Sequence, residues 1–218
     1  MTAPFDASLR VTEIFHSLQG ESTRIGLPTV FVRLTGCPLR CAWCDTTYAF
    51  TGGSAMSVAD VLARVASYDC PTVCVTGGEP LAQKACLPLI TALCDAGYSV
   101  SLETSGALDI AAVDDRVSCI VDLKAPASGE SAKNLWGNIK LLSRDDELKF
   151  VLASESDYEW AKNTLHEYRL AAHCTVLFAP VHGELEPAQL AEWIIRDRLP
   201  VRFQLQLHKL LWGSERAR

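Results

Sequence analysis

An α/β fold organised around a parallel sheet is what this sequence predicts, on two observations. Short β-branched apolar runs recur along the chain with helical patterns between most of them, and that alternation is what a parallel sheet with crossover helices produces. The residues of unusual chemistry fall just after those runs, at the C-terminal edge where the active sites of barrels and open α/β sheets sit. The 218 residues hold no Gly/Ser-rich linker, internal repeat or low-complexity tract, so one domain over residues 1–218 is expected.

The predicted strands are Val11–Phe15, Thr29–Leu34, Val73–Thr76, Ser99–Glu103, Cys119–Leu123, Glu147–Leu152, Thr175–Ala179 and Val201–Leu207. Between them, Ser57–Tyr68 places Val58, Val61, Leu62 and Val65 on one helical face, with Ser57 as its N-cap. Leu81–Ala96 is apolar on most sides and reads as a buried helix. Helices are also expected over Ala132–Leu142, over Ser156–Leu170 as a solvated amphipathic face, and over Pro187–Asp197 with Pro187 in the first turn. The motifs at the strand ends run in order: Thr35-Gly36-Cys37, Thr76-Gly77-Gly78-Glu79-Pro80, Glu103-Thr104-Ser105-Gly106, Asp122-Leu123-Lys124-Ala125-Pro126, Ala179-Pro180-Val181-His182-Gly183 and Gln206-Leu207-His208-Lys209. The sixth strand carries none.

Composition narrows the function classes. An apolar fraction of 49% and a charged fraction of 21% are those of an ordinary globular protein. No run approaches the ~18 apolar residues of a membrane helix, and Met1–Arg10 lacks an apolar signal segment, so a cytoplasmic location and no membrane are expected. A net charge of −6 argues against a broad nucleic-acid footprint. Nine cysteines do not suit a disulfide framework, which belongs to small secreted domains. Six of them, Cys70, Cys74, Cys86, Cys94, Cys119 and Cys174, are scattered among apolar residues and read as small buried hydrophobes.

The other three, Cys37, Cys41 and Cys44, sit in one loop with the spacing Cys-x3-Cys-x2-Cys. An ordinary 4Fe–4S centre takes four cysteines. Three leave one iron open, as a catalytic zinc keeps an open position. S-adenosylmethionine (SAM) can chelate such an iron through its amino and carboxylate groups and be cleaved reductively to methionine and a 5′-deoxyadenosyl radical. The alternatives at this point are a structural loop and a zinc site. Cys41-x2-Cys44 suits zinc but lacks a second ligand pair of the usual spacing, unless His182 and His208 complete it.

With Trp43 in the aromatic slot, the cysteine motif resembles the signature of the radical SAM superfamily, and Gly77-Gly78-Glu79-Pro80 resembles that superfamily's GGEP motif. Over nearly its whole length the chain resembles the 7-carboxy-7-deazaguanine synthase family. The resemblance is carried by Ile14 to Glu21, Phe31 to Cys37, Cys44-Asp45-Thr46, Glu103 to Gly106, Val121 to Lys124 and Leu205 to Lys209.

It implies a shortened, partial (β/α)6 TIM-like barrel of the radical SAM type. It also implies conversion of 6-carboxy-5,6,7,8-tetrahydropterin to 7-carboxy-7-deazaguanine, with ring contraction and ammonia loss, in queuosine and 7-deazapurine biosynthesis. The cofactors implied are a 4Fe–4S cluster on Cys37, Cys41 and Cys44, SAM, and magnesium on Thr46. By the same resemblance Leu18, Gln19, Gly20, Glu21, Arg33 and Thr76 meet the pterin. Trp43, Cys44, Asp45, Gly77, Gly78, Glu79, Asp122, Leu123 and Lys124 meet SAM, with the glycines letting backbone approach its methionine end and the Glu79 carboxylate accepting from its ammonium. A homodimer and an electron donor such as flavodoxin or ferredoxin are implied as partners. Ala125, Ala179 and the tail Trp212–Arg218 depart from the family pattern.

Each residue also has a plainer reading. Arg33 suits the surface of an edge strand, Thr46 and Thr47 suit turn caps, and Asp122 with Lys124 suits a local ion pair of little worth. His16 and His208 suit core or rim positions. No residue stands out as a general base, which accords with a reaction begun by hydrogen-atom abstraction. Two rival functions remain at this level: a radical-generating activase for a partner protein, and a non-enzymatic iron–sulfur or zinc module.

Overall fold

The structure, a computed structural model, describes residues 7–213 and 215–218. Residues 1–6 and Ser214 of the tail lie outside the described residues. The strands are β1 (Ser8–Leu18), β2 (Pro28–Leu34), β3 (Ser54–Ser57), β4 (Thr72–Gly77), β5 (Ser99–Thr104), β6 (Ser118–Asp122), β7 (Glu147–Leu152), β8 (Thr175–Pro180) and β9 (Arg202–Phe203). The α-helices are α1 (Val58–Ala66), α2 (Cys86–Asp95), α3 (Glu155–Glu167), α4 (Pro187–Arg196) and α5 (Leu207–Trp212). The strands form one sheet in the order β3-β1-β2-β4-β5-β6-β7-β8-β9. β1 runs antiparallel to both its neighbours, and from β2 to β9 every pairing is parallel. This is an α/β fold of the partial TIM-barrel kind.

The period of two along each strand divides the molecule. Val30, Val32 and Leu34 of β2, Val73 and Val75 of β4, Leu148, Phe150 and Leu152 of β7, and Val176 and Phe178 of β8 turn to the helix side and join the main core. The alternate residues Phe31, Arg33, Thr76, Glu103, Asp122, Lys149 and Val151 turn the other way and line one cavity. A charged residue inside an apolar strand run is therefore the mark of the inner face.

The helices cover the outer face by their apolar stripes. Ser57 caps α1 in a reciprocal box, accepting from Asp60 N at 3.1 Å while its own N–H donates to Asp60 Oδ2 at 3.1 Å. Val58, Val61 and Val65 are buried beneath it. In α2 Cys86, Leu89, Ile90 and Leu93 are buried and Leu87, Ala92 and Cys94 pack half-buried against the core, and the helix starts at Cys86 after a 3-10 turn at Pro80–Ala82. Five of the six scattered cysteines are buried and Cys94 is half-buried.

Two expectations are corrected, and one strand was not expected. Residues 132–142 form 3-10 turns, not an α-helix. Two asparagines there bond distant backbone instead of supporting a helix: Asn134 accepts from Lys124 N at 2.9 Å, and Asn138 donates to Leu108 O at 2.8 Å. The last strand is only Arg202–Phe203, because Leu207 N donates to Gly20 O at 2.9 Å and draws the chain off the sheet edge into α5. The short β3 carries no apolar alternation and pairs on the outer edge of β1.

Candidate active site

The inner face of the sheet and the loops above it enclose a cavity of about 610 Å³, within the range of small-molecule sites. One wall is the cysteine loop. Cys37, Cys41 and Cys44 are half-buried and line the cavity together with Trp43, Asp45 and Thr46. The loop is fastened from outside by two cations. Arg40 Nη1 donates to the carbonyls of Cys37 (2.8 Å) and Leu39 (2.6 Å), and Lys133 Nζ donates to that of Pro38 at 3.0 Å. Glu130 accepts from Arg40 N at 2.6 Å and pairs with Lys133 at 2.9 Å. With its carbonyls turned outward, the loop presents its thiols inward.

Burial pushes the Cys37 and Cys41 thiols up, while the Lys124 ammonium acts in the opposite direction. Three adjacent thiols on one wall, opposed by a lysine, fit a cluster bound as thiolates. Among the described residues, no three His, Cys, Asp or Glu side chains converge on a single-ion site.

The glycine pair at the end of β4 seats this loop. A Cβ on Gly78 would meet the carbonyl of Gly36 and, at 2.7 Å, the Cβ of Cys37. Gly78 thus makes room for the cluster loop itself, not only for a ligand beyond it. Glu79 is fully buried and away from the cavity. Its carboxylate accepts from Leu81 N (2.9 Å), Ser105 N (2.7 Å) and the Thr104 hydroxyl. Those partners occupy both oxygens, so Glu79 is placed to hold the Thr104-Ser105 turn against the cavity and not to accept from a ligand. Leu123 is likewise in the core, whereas Asp122 and Lys124 on either side of it line the cavity, 3.0 Å apart.

A second part of the lining gathers Leu18, Gln19, Gly20, Glu21, Arg33 and Thr76. Arg33 lies on β2, which is flanked by β1 and β4, so the edge-strand reading fails. Its Nε donates to Glu13 Oε1 at 2.7 Å, and the same oxygen accepts from the Tyr48 hydroxyl at 2.8 Å. Burial raises the Tyr48 pKa to about 12, so the phenol stays a donor. The guanidinium is thereby oriented through one edge only. Glu103 Oε1 accepts from Gln19 Nε2 at 3.2 Å and its Oε2 from Thr76 Oγ1 at 3.1 Å. Gly20 packs against the ring of His208, which leaves no room for a Cβ.

Thr46 precedes a 3-10 turn but makes no capping bond to it. Its hydroxyl donates instead to Asp45 Oδ1 at 2.7 Å, at the cavity wall, which removes the turn-cap reading. His182 and His208 both line the cavity, and His16 does not. Sequence reasoning assigned no role to Glu13, Tyr48, Glu103, Lys149 and Gln206. A usable signal for Lys149 was present: a lone lysine in the run Glu147–Leu152, on the opposite parity to Leu148 and Phe150. The tail residues Gly213 and Glu215–Arg218 also line the cavity mouth, where the Arg216 guanidinium stacks on the Tyr48 ring at 4.1 Å.

Comparison with known proteins places this geometry. Residues 31–192 match the family model of the radical SAM superfamily. A 7-carboxy-7-deazaguanine synthase of Chlorobaculum tepidum is 48% identical, with 96% of this chain and 97% of that protein covered. A protein of the same name from Koribacter versatilis is 41% identical over 95% and 98%. The crystal structure of QueE from Escherichia coli superposes with a TM-score of 0.76 at 25% identity, covering 92% of this chain and 95% of that one.

Proposed function

This chain belongs to the radical SAM superfamily and within it to the 7-carboxy-7-deazaguanine synthase family, and from that membership we propose how its residues divide the work. The activity is that of a lyase, converting 6-carboxy-5,6,7,8-tetrahydropterin to 7-carboxy-7-deazaguanine with ring contraction and loss of ammonia, in queuosine and 7-deazapurine biosynthesis. Its cofactors are a 4Fe–4S cluster, SAM and magnesium. When bound, the cluster supplies the electron that cleaves SAM and so provides the hydrogen-abstracting radical.

The residues divide by wall. Cys37, Cys41 and Cys44 hold the cluster. Trp43, Asp45, Gly77, Gly78, Asp122 and Lys124 form the SAM side. Glu79 serves that side indirectly, by fixing the Thr104-Ser105 turn. Gln19, Gly20, Glu21, Arg33 and Thr76 form the pterin side, with Leu18 at its edge. Arg33 meets the substrate carboxylate with the part of its fork that Glu13 leaves free, a charge-assisted contact. The Thr46 hydroxyl offers magnesium one oxygen; the ion prefers oxygen ligands and keeps several waters. Held this way, the pterin ring presents one hydrogen to the SAM side, and positioning of that kind contributes heavily to rate.

The observation that carries this assignment is that three thiols and an Arg33 oriented by Glu13 line one cavity. One domain carries the whole site. The chain works in the cytoplasm as a homodimer, with a flavodoxin or ferredoxin as electron donor. Exposed Ile195, Leu210 and Leu211 offer apolar surface for self-association. No helix among the described residues is long and apolar enough to cross a membrane.

The test is anaerobic turnover of 6-carboxytetrahydropterin by the cluster-loaded protein. Formation of 7-carboxy-7-deazaguanine is expected, with an Arg33→Ala variant raising KM far more than it lowers kcat. A loaded Arg33→Ala enzyme with the parent's KM would reject the assignment of the pterin wall.

A further inference from the structure

Lys149 is a buried ammonium to which nothing above assigns a task. It sits on the inner face of β7, between Leu148 and Phe150 of the core, and its side chain is 11% exposed. Its Nζ lies 2.6 Å from Glu21 Oε2 and 3.5 Å from Asp122 Oδ2. Glu21 stands in the loop after β1, beside Gln19 and Gly20. Asp122 ends β6, beside Lys124. One ammonium thus touches one carboxylate from each wall of the cavity.

The two carboxylates are not equally occupied. Glu21 uses both oxygens, since Oε1 accepts from Gln206 Nε2 at 2.7 Å. Asp122 shares its Oδ2 between Lys124 at 3.0 Å and Lys149, while its Oδ1 is buried and has no partner. Burial opposes the charged forms of Glu21 and Lys149. Their mutual attraction outweighs it, so the Glu21 pKa falls to about 2 and that of Lys149 rises well above its ordinary value. Both are ionised at neutral pH, and the pair does not exchange a proton there. What remains for Lys149 is electrostatic positioning.

We propose that Lys149 is a positioning residue that ties the pterin wall to the SAM wall, so that each ligand tightens the binding of the other. The inference rests on the reading of Glu21 as pterin-side and Asp122 as SAM-side. A ligand N–H or O–H that approaches the cavity-lining Asp122 carboxylate draws charge from it and weakens its hold on the ammonium. Lys149 then belongs more fully to Glu21 and fixes it in the orientation the pterin meets. Residues sharing a charged partner are non-additive, and the coupling between two ligands is reciprocal by linkage.

The experiment uses the cluster-loaded enzyme with the cluster left oxidised and no reductant present, so nothing turns over. SAM is titrated by calorimetry with and without saturating 6-carboxytetrahydropterin, and the reciprocal titration is run as well. In the parent, pterin should tighten SAM by at least about fivefold, the lower end of ordinary coupling. In Lys149→Met that ratio should fall to near one, and Lys149→Arg, which keeps the charge, should recover most of it. If Lys149→Met does not fold, Glu21→Gln answers the same question from the other end, because it removes the charge and keeps the shape.

A parent ratio of one, or the parent's ratio surviving in Lys149→Met or Glu21→Gln, overturns the proposal. A merely structural Lys149 would lower Tm and leave the ratio alone. Should Asp122→Asn leave SAM affinity unchanged and Glu21→Gln leave pterin affinity unchanged, the wall assignment itself has failed. Should each weaken its own ligand while coupling survives Lys149→Met, the coupling alone has failed.

Discussion

At the N-terminal end of the sheet, Asp146 and Glu147 line a recess of about 450 Å³. They spend their oxygens on nearby backbone and hydroxyls: Asp146 accepts from Cys119 N (2.8 Å) and Ser143 N (2.7 Å), Glu147 from Thr23 N at 3.0 Å. At the C-terminal end, Glu13, Glu21 and Asp122 are paired with cations: Arg33 and Lys149 reach Glu13 and Glu21 from other strands, and Asp122 meets Lys149 and its near neighbour Lys124. The first arrangement closes on itself and stabilises loops. The second leaves capacity over, in the cavity-lining Asp122 carboxylate and in the Arg33 fork. Carboxylates are structural at one end and face the cavity at the other, and the identity of the partner decides which.

Substitutions at the two ends should separate activity from stability. The largest effect is expected at the cysteine loop. Cys41→Ala should lose the cluster and all turnover with little change in circular dichroism or Tm, since no disulfide or core contact depends on that half-buried thiol. Iron analysis after reconstitution checks it; a full, active cluster in that variant would break the ligand assignment.

Next comes the pterin side. Arg33→Ala should cost about 2–5 kcal/mol of substrate binding, the usual cost of truncating a buried charged partner, and leave the magnesium response intact. Thr46→Ala should instead lower the rate and flatten its dependence on magnesium. Steady-state kinetics across a magnesium series distinguishes the two, and a stable Thr46→Ala enzyme whose rate still climbs with magnesium would remove Thr46 from the ion.

At the far end, Asp146→Ala should lower unfolding free energy by about 1–3 kcal/mol, because it strands buried donors, with kcat per folded molecule unchanged. Urea denaturation read beside turnover tests this, and a fall in kcat without loss of stability would contradict the division between the ends. The smallest effect concerns acid. Burial raises the Glu21 pKa, but Lys149 and Gln206 bring it down to about 2 from an ordinary 4.5. A depressed carboxylate contributes stability that is fully present above its unfolded pKa and lost as pH falls through the folded one. The parent's Tm advantage over Glu21→Gln should therefore hold above about pH 4.5 and shrink toward pH 2. An advantage constant across that window would show that the Glu21 charge contributes nothing to the fold.

The cysteine triplet, the glycine pair and the polar residues closing each strand were legible without coordinates, because metal ligation and close backbone approach demand particular residue types at particular spacings. Strand–helix alternation was legible for the same local reason, through the apolar period that each element must bury. Where local pattern was ambiguous the reading failed. Residues 132–142 have helical apolar spacing, but Asn134 and Asn138 found better partners in distant backbone. Val201–Leu207 alternates like a strand, but only Arg202–Phe203 pairs, and from the Leu207 bond to Gly20 the chain continues as α5.

By itself, then, the sequence determined the fold class, the cluster loop and the set of side chains available on the rim. Only the tertiary structure decided which of those side chains meet. Glu79 belongs to a motif that reads as ligand-binding, yet it lies buried and holds a turn. Lys149 belongs to no motif and stands between the two walls. Glu21 and Lys149 are 128 residues apart, and Gln206 lies 185 from Glu21. A side chain's residue type states what it is able to bind. The partner it binds depends on strand order and on which face of the sheet it occupies, and those are settled only when all the strands are in place.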